Sequence, residues 1–387
     1  MNRYASIYLF LSLFVLSAHA QENEQTDSLG QYYQSYDFVH VIKLLSEKDS
    51  LNETESQYLA KSYLQLGQVE EAKTIYENAL KKDSSNVKLK NDLAATYLKI
   101  GDLPKAMELY QEMLAQDPEN AFYQRKVASI YEGQLEIIKA ISAYRKALDL
   151  NQKDIASAES LAELYLKIQQ FDLADSLLSV YLAHYPNQSN LLKTQLKTLY
   201  KKRKYQEVSE VAERLFAKKD SALLSLKLAG IAAFHQKKFE TAISFMSKVI
   251  QVDKKSEILH YYLGLSYREI GETEKATEFL EKAIDLGVTE NLGNYYLQLA
   301  VSYEEEENFP EAIKAYQIAY KSSKDKVILY HLARNYDRYY KDKSIALSYY
   351  QKYLEEEDTA NQFLQNYSKH RIEELKVARH FGLDSLN

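Results

Sequence analysis

The side chains that most often carry chemistry are sparse in this chain or wrongly spaced. It has eight histidines and no cysteine among 387 residues. Two histidines at i and i+4 would set two imidazoles on one helix face, a common core of zinc sites. No such pair occurs. Without cysteine the chain has no thiolate ligand, no disulfide and no N-terminal cysteine for lipid attachment. His184, His260 and His331 therefore read as surface residues of helices or loops. The nucleophile elbow GxSxG and the phosphate loops GxxxxGK[ST] and GxGxxG are absent. Carboxylate runs such as Glu304–Glu307 and Glu355–Glu357 read as solvated helix faces. No constellation supports catalysis, so an enzyme is not expected, nor a cofactor or a bound metal.

Charge is more informative. The formal net charge is −6, and mild acidity argues against nucleic acid as a general partner. Residues 189–256 go the other way, with 15 Lys or Arg against 6 Asp or Glu. The densest point is Lys201-Lys202-Arg203-Lys204, expected in a turn between helices. An anion-facing patch there suits an acidic partner or an anionic polymer of the cell envelope.

The elements that must position these residues follow from a repeat. Ala72, Ala106, Ala140 and Ala174 stand 34 residues apart, and Val208, Ala242 and Ala276 continue the series. Ala312 and Ala346 extend it. A fixed period of this size means one supersecondary unit copied many times. Within each unit a small residue precedes an aromatic by three, as in Ala60 and Tyr63, Ala94 and Tyr97, Ala128 and Tyr131. After a turn, often with glycine (Gly67, Gly101, Gly271), the periodic alanine precedes an aromatic by four, as in Ala72 and Tyr76 or Ala106 and Tyr110. Spacings of three and four lie on one helix face. A small side chain lets two helix axes approach, and the tyrosine ring fills the space beside it. Only four prolines and ten glycines interrupt the chain, and Pro118 and Pro186 stand where a helix should stop.

The 34-residue helix-turn-helix unit resembles the tetratricopeptide repeat. The stretches "YLAKSYLQLGQVEEAKTIYENALKKDSSN" (58–86) and "LAATYLKIGDLPKAMELYQEMLAQDPEN" (93–120) carry the resemblance best. It implies an all-α, right-handed superhelical α-solenoid of about nine repeats: 53–86, 87–120, 121–154, 155–188, 189–222, 223–256, 257–290, 293–325 and 326–360. A partial repeat at 28–52 precedes them, and a capping helix with a tail follows at 361–387. Repeats 189–222 and 223–256 match least well. The first has Leu196, Leu199, Val208 and Ala212 at the signature positions, and the second lacks its aromatic filler after Gly230.

The resemblance also implies a concave groove lined by the first helices, where ligands usually bind. The corresponding stripes are Lys193, Lys197 and Tyr200; Lys227, Ile231 and Phe234; and Tyr261, Leu265 and Arg268. Each trio is spaced i, i+4, i+7 and so shares a helix face. Aromatic, aliphatic and basic groups together suit a peptide. Two specialised grooves of the family are not expected. The Lys, Asn and Arg cluster that clamps a C-terminal carboxylate is missing. So is the asparagine ladder of glycosyltransferase-linked arrays, whose positions hold Tyr58, Asp92, Lys126 and Ser160.

The N-terminus reads as a cleaved signal peptide, 1–20. Arg3 gives the positive start, Ile7 to Leu16 the short apolar core, and Ala18-His19-Ala20 the cleavage pattern. Residues 21–27 are polar and expected to be disordered. The expected protein is an exported, non-enzymatic scaffold, periplasmic or secreted and bacterial, and not integral to the membrane after cleavage. Its partner would be an unidentified protein or peptide held in the groove. The alternative is an envelope-organising protein that binds an anionic glycan or membrane surface through 189–256.

Overall fold

A computed structural model of the protein describes residues 29–287, 291–355 and 361–380. The segments expected as signal peptide, polar linker and C-terminal tail lie outside the described residues. Those described contain helices and turns and no strand. They fall into two compact units, one ending at Gln169 and one starting at Gln170.

The N-terminal unit begins with α1 (residues 29–34) and α2 (Phe38–Ser46), which packs on α3 (Glu53–Gln65). Then follow α4 (Val69–Lys82), α5 (Val87–Ile100), α6 (Leu103–Gln116), α7 (Ala121–Gly133), α8 (Ile137–Leu150) and α9 (Ile155–Lys167). The C-terminal unit holds α10 (Phe171–His184), α11 (Ser189–Lys201), α12 (Tyr205–Ala217), α13 (Leu223–His235), α14 (Phe239–Ile250), α15 (Glu257–Glu269) and α16 (Thr273–Leu286). It continues with α17 (Leu292–Glu305), α18 (Phe309–Ser323), α19 (Val327–Tyr339), α20 (Ser344–Glu355) and α21 (Gln362–His380). Within each unit every helix from α2 onward packs on the next, and in the C-terminal unit first helices also touch first helices, as α11 touches α13 and α13 touches α15. Each unit is thus an α-solenoid of helical hairpins.

Close packing explains the period. Ala72, Ala106, Ala140, Ala174, Val208, Ala242, Ala276, Ala312 and Ala346 are all 0% exposed. The small residue of the first helix sits just as tightly. A Cβ on Gly264 would lie 2.7 Å from Leu280 Cγ, and one on Gly230 2.6 Å from Met246 Cγ. The next signature position is a buried tyrosine in Tyr76, Tyr110, Tyr144, Tyr316 and Tyr350, and a buried aliphatic in Leu178, Met246 and Leu280. Each such side chain contributes about 1.5–3 kcal/mol of transfer free energy.

Helix ends are set locally. Asn52, Asn86, Asn120 and Asp154 recur 34 apart as side-chain caps of α3, α5, α7 and α9. Gln188 and Ala222 hold the equivalent places before α11 and α13 and give no such bond. The turn inside each hairpin also repeats. Gly67, Gly101, Leu135, Gln169, Arg203, Lys237 and Gly271, each 34 after the last, have φ between 57° and 87°, as has Glu307. The following N–H bonds back five residues to a first-helix carbonyl: Gln68 to Tyr63, Lys204 to Leu199, Lys238 to Ala233. This is the Schellman ending of a helix, which needs one left-handed residue.

Candidate functional site

The first-helix face of the C-terminal unit gathers most of the residues expected to line a groove. Tyr200 and Phe234 pack at the margin of one apolar cluster, and Phe234, Tyr261 and Leu265 meet in the next. Phe234 meets the Tyr262 ring edge-on at 5.1 Å. Tyr261 stacks on Tyr295 at 4.6 Å, and its hydroxyl accepts a hydrogen bond from Asn294 Nδ2 at 2.8 Å. Burial pushes the Tyr261 phenol above its usual value. Lys193 pairs with Asp220 at 2.7 Å, and Arg268 Nη1 reaches the Gln298 carbonyl at 3.4 Å. Lys197 and Lys227 are half-buried.

Two residues expected on that surface are not there. Ile231 is 1% exposed and Leu265 7%. Both are held in apolar clusters within the packed helices, so a partner does not reach them. What remains on the face is aromatic and basic: Tyr200, Phe234, Tyr261, Lys193, Lys197, Lys227 and Arg268.

The basic run sits at the hairpin turn between α11 and α12, but its charges differ in availability. Lys202 contacts Asp172 at 2.9 Å and Asp175 at 2.5 Å. Lys204 pairs with Glu207 at 3.1 Å and lies 3.7 Å from Asp175. Lys201 and Arg203 are exposed and make no ion pair among the described residues. The next hairpin turn adds Lys237 and Lys238, also exposed and without an ion pair there.

Sequence reasoning missed an aromatic cluster beside these cations. The His235 imidazole stacks on Tyr205 at 4.1 Å, and its Nε2 lies 3.3 Å from the Tyr262 hydroxyl. Phe234 meets His235 and Phe239 edge-on at 5.4 Å and 5.8 Å. Gln236 Nε2 donates to the Tyr205 carbonyl and to Ser209 Oγ, which ties the two turns together. Burial, with the Arg203 charge added, pushes the His235 imidazole down, and burial pushes the Tyr262 phenol up to about 12. One signal was available: an aromatic opens the second helix at Phe171, Tyr205, Phe239 and Phe309.

Glu304 and His260, read as surface groups, prove otherwise. Glu304, expected on a solvated face, meets Arg334 at 2.9 Å and His331 at 3.5 Å and accepts from the Tyr316 hydroxyl. Burial alone would raise its pKa. The hydrogen bonds from His331 and Tyr316 and the Arg334 charge outweigh that and hold it at about 2. His331 itself stacks on Tyr316 at 5.2 Å. His260 is buried, with Nδ1 2.9 Å from the Ser256 carbonyl. A second ionic cluster docks α21, where Arg371 bonds both carboxylate oxygens of Asp337 at 2.7 Å and 3.1 Å. Among the described residues no group of three or more His, Asp or Glu is placed to hold a metal ion, and no helix is long and apolar enough to cross a membrane.

A row of hairpins with a 34-residue period, a small residue at each helix crossing and a left-handed turn defines a helical-repeat solenoid protein. Family models for the tetratricopeptide repeat match residues 58–130 and 259–286, one segment in each unit. These two segments are thus matched as tetratricopeptide repeats. No curated protein matches its sequence. Among solved structures, a tetratricopeptide repeat protein from Parabacteroides merdae is 18% identical, covering 70% of this chain and 99% of its own, with a TM-score of 0.44. PilF of Pseudomonas aeruginosa is 22% identical, covering 56% and 95%, with a TM-score of 0.46. A human IFIT1 dimer with m7Gppp-AAAA is 17% identical, covering 90% and 87%, with a TM-score of 0.39.

Proposed function

We propose that this protein is a non-catalytic scaffold that binds another protein along the first-helix face of α11, α13 and α15. The observation that carries this reading is the continuous strip of half-exposed Tyr200, Phe234 and Tyr261, flanked by Lys193, Lys197, Lys227 and Arg268. Aromatic and basic groups at partly desolvated positions are the usual anchors of protein recognition. The scaffold is exported to a bacterial periplasm or beyond, a reading supported by Arg3, the apolar Ile7 to Leu16 and Ala18-His19-Ala20. In-cell crosslinking and capture of the tagged chain test the scaffold reading. A specific partner is expected, and its yield should fall about tenfold in Tyr261→Ala with helical content unchanged. Equal capture by that variant removes this face from the proposal. N-terminal sequencing of the mature chain should begin at Gln21.

The exposed cations at the α11–α12 and α13–α14 turns favour a second reading, in which the region 189–256 holds an anionic glycan or membrane surface. Binding to such a surface should fall steeply between 50 and 500 mM salt. Neutralising Lys201 and Arg203 should abolish it, whereas Lys202 and Lys204 already spend charge on Asp172, Asp175 and Glu207.

A further inference from the structure

We infer that the rim formed by the α11–α12 and α13–α14 turns binds a short acidic peptide segment carrying an aromatic side chain between its carboxylates. The inference rests on the scaffold reading and adds a second contact, at the turns that border the first-helix strip, together with the chemistry of the partner.

Three observations carry it. First, Arg203 and Lys237 hold the same left-handed place in consecutive hairpins, at φ 57° and 59°. At the sister places Gly67, Gly101 and Gly271 an added Cβ meets no atom within 4 Å, so a side chain there projects into solvent. Leu135, Gln169 and Glu307 share the conformation. What distinguishes 203 and 237 is charge, reinforced by Lys201 and Lys238. These four cations have no ion pair among the described residues.

Second, the turns frame an aromatic surface. Tyr205, His235 and Tyr262 form a stacked and edge-on group tied across the two repeats by Gln236. His235 is exposed, and Tyr205 and Tyr262 are half-exposed. This offers a platform for one further ring.

Third, the positive rim is short. The next turns carry Glu269, Glu272 and Glu274, then Glu305, Glu306 and Glu307. A long polyanion running along this edge would meet those carboxylates, whereas a short segment fits within the two cationic turns. Neighbouring helices lie about 8–10 Å apart, which is about three residues of extended chain. Carboxylates three residues apart, with an aromatic between them, match this spacing.

The test uses the full chain and a labelled peptide, acetyl-Gly-Glu-Glu-Phe-Glu-Glu-Gly-amide, read by fluorescence anisotropy. Saturable binding is expected. The double variant R203G and K237G should weaken it at least tenfold. Its thermal midpoint should hold or rise, because glycine is the unstrained residue at a left-handed position. H235A should weaken binding of this peptide but not of its Phe→Ser version. Lys254→Glu with Lys255→Glu, at the turn between α14 and α15, should leave binding unchanged. Wild-type affinity in R203G and K237G overturns the inference. So does equal binding of the Phe→Ser peptide, or preferential binding of a sulfated polysaccharide, which would make this a polyanion surface. Capture of a partner that depends on Tyr261 but not on Arg203 and Lys237 would sink the rim contact and leave the scaffold reading standing.

Discussion

The hydroxyl of Tyr316 donates to Glu304 Oε2 at 2.8 Å, joining the second helix of one repeat to the end of its first. His331 and Arg334 of the following helix close on the same carboxylate. Glu304 therefore couples three consecutive helices through one charge, which must stay ionised for the arrangement to hold.

The consequence for pH follows from its pKa. The folded carboxyl is held at about 2, from 4.5 when free. A group with a depressed folded pKa stabilises above the free value and loses that contribution as pH falls towards the folded one. Stability should therefore drop between about pH 5 and pH 2, with this one group contributing on the order of 3 kcal/mol. Urea denaturation across that range checks it, and Glu304→Gln should flatten the slope. An unchanged slope in that variant would show that other carboxylates govern the transition.

Tyr76 stands at the place of Tyr316 in an earlier repeat, yet its buried hydroxyl has no hydrogen-bond partner among the described residues. The two should respond differently to loss of the oxygen. Tyr316→Phe removes a bond to a charged acceptor and should cost about 1.5–3 kcal/mol, whereas Tyr76→Phe should be neutral or stabilising. Thermal unfolding of the pair separates the cases.

Gly264 has helical geometry that alanine normally favours. Here a Cβ would press on Leu280 Cγ at 2.7 Å and on the Ala276 carbonyl at 3.1 Å. Gly264→Ala should thus destabilise by about 1–3 kcal/mol, against the gain expected from helix propensity. A chemical-denaturation midpoint that rose would refute the close crossing of α15 and α16.

Arg371→Ala should loosen α21. It leaves the buried Asp337 with Lys343 at 3.7 Å as its remaining side-chain ion pair. The apolar contact of that helix is made by the buried Ile372 and Leu375, with Leu364 and Tyr367 packed beside them. A loss of about 2–4 kcal/mol is expected. Limited proteolysis should then cut between α20 and α21 faster than in the parent chain.

The all-α repeat architecture was legible because neighbouring repeats meet through the same positions. Ala72 through Ala346 are buried for one shared reason, and even Val208, which breaks the composition, keeps the place. The charge chemistry was not legible in the same way. Glu304 lies in a run of four glutamates that looks solvated, and only His331 and Arg334, some thirty residues on, reveal its burial. Lys202 and Lys204 look like members of one patch until Asp172 and Asp175 are seen beside them. Ile231 and Leu265 share a helix stripe with half-exposed neighbours, but the adjoining first and second helices cover them. Sequence spacing assigns a face; which part of that face stays open depends on how the adjoining helices pack on it.

The left-handed place in each hairpin turn separates two kinds of information. The backbone bond that ends the first helix needs the conformation and no particular side chain, so residues other than glycine fill the place at a modest cost in backbone strain. Glycine, leucine, glutamine, arginine, lysine and glutamate all occupy it in this one chain. Each repeat thereby carries a writable address outside its packing code. A lineage that alters these addresses changes what the solenoid recognises while its core sequence goes on being inherited intact.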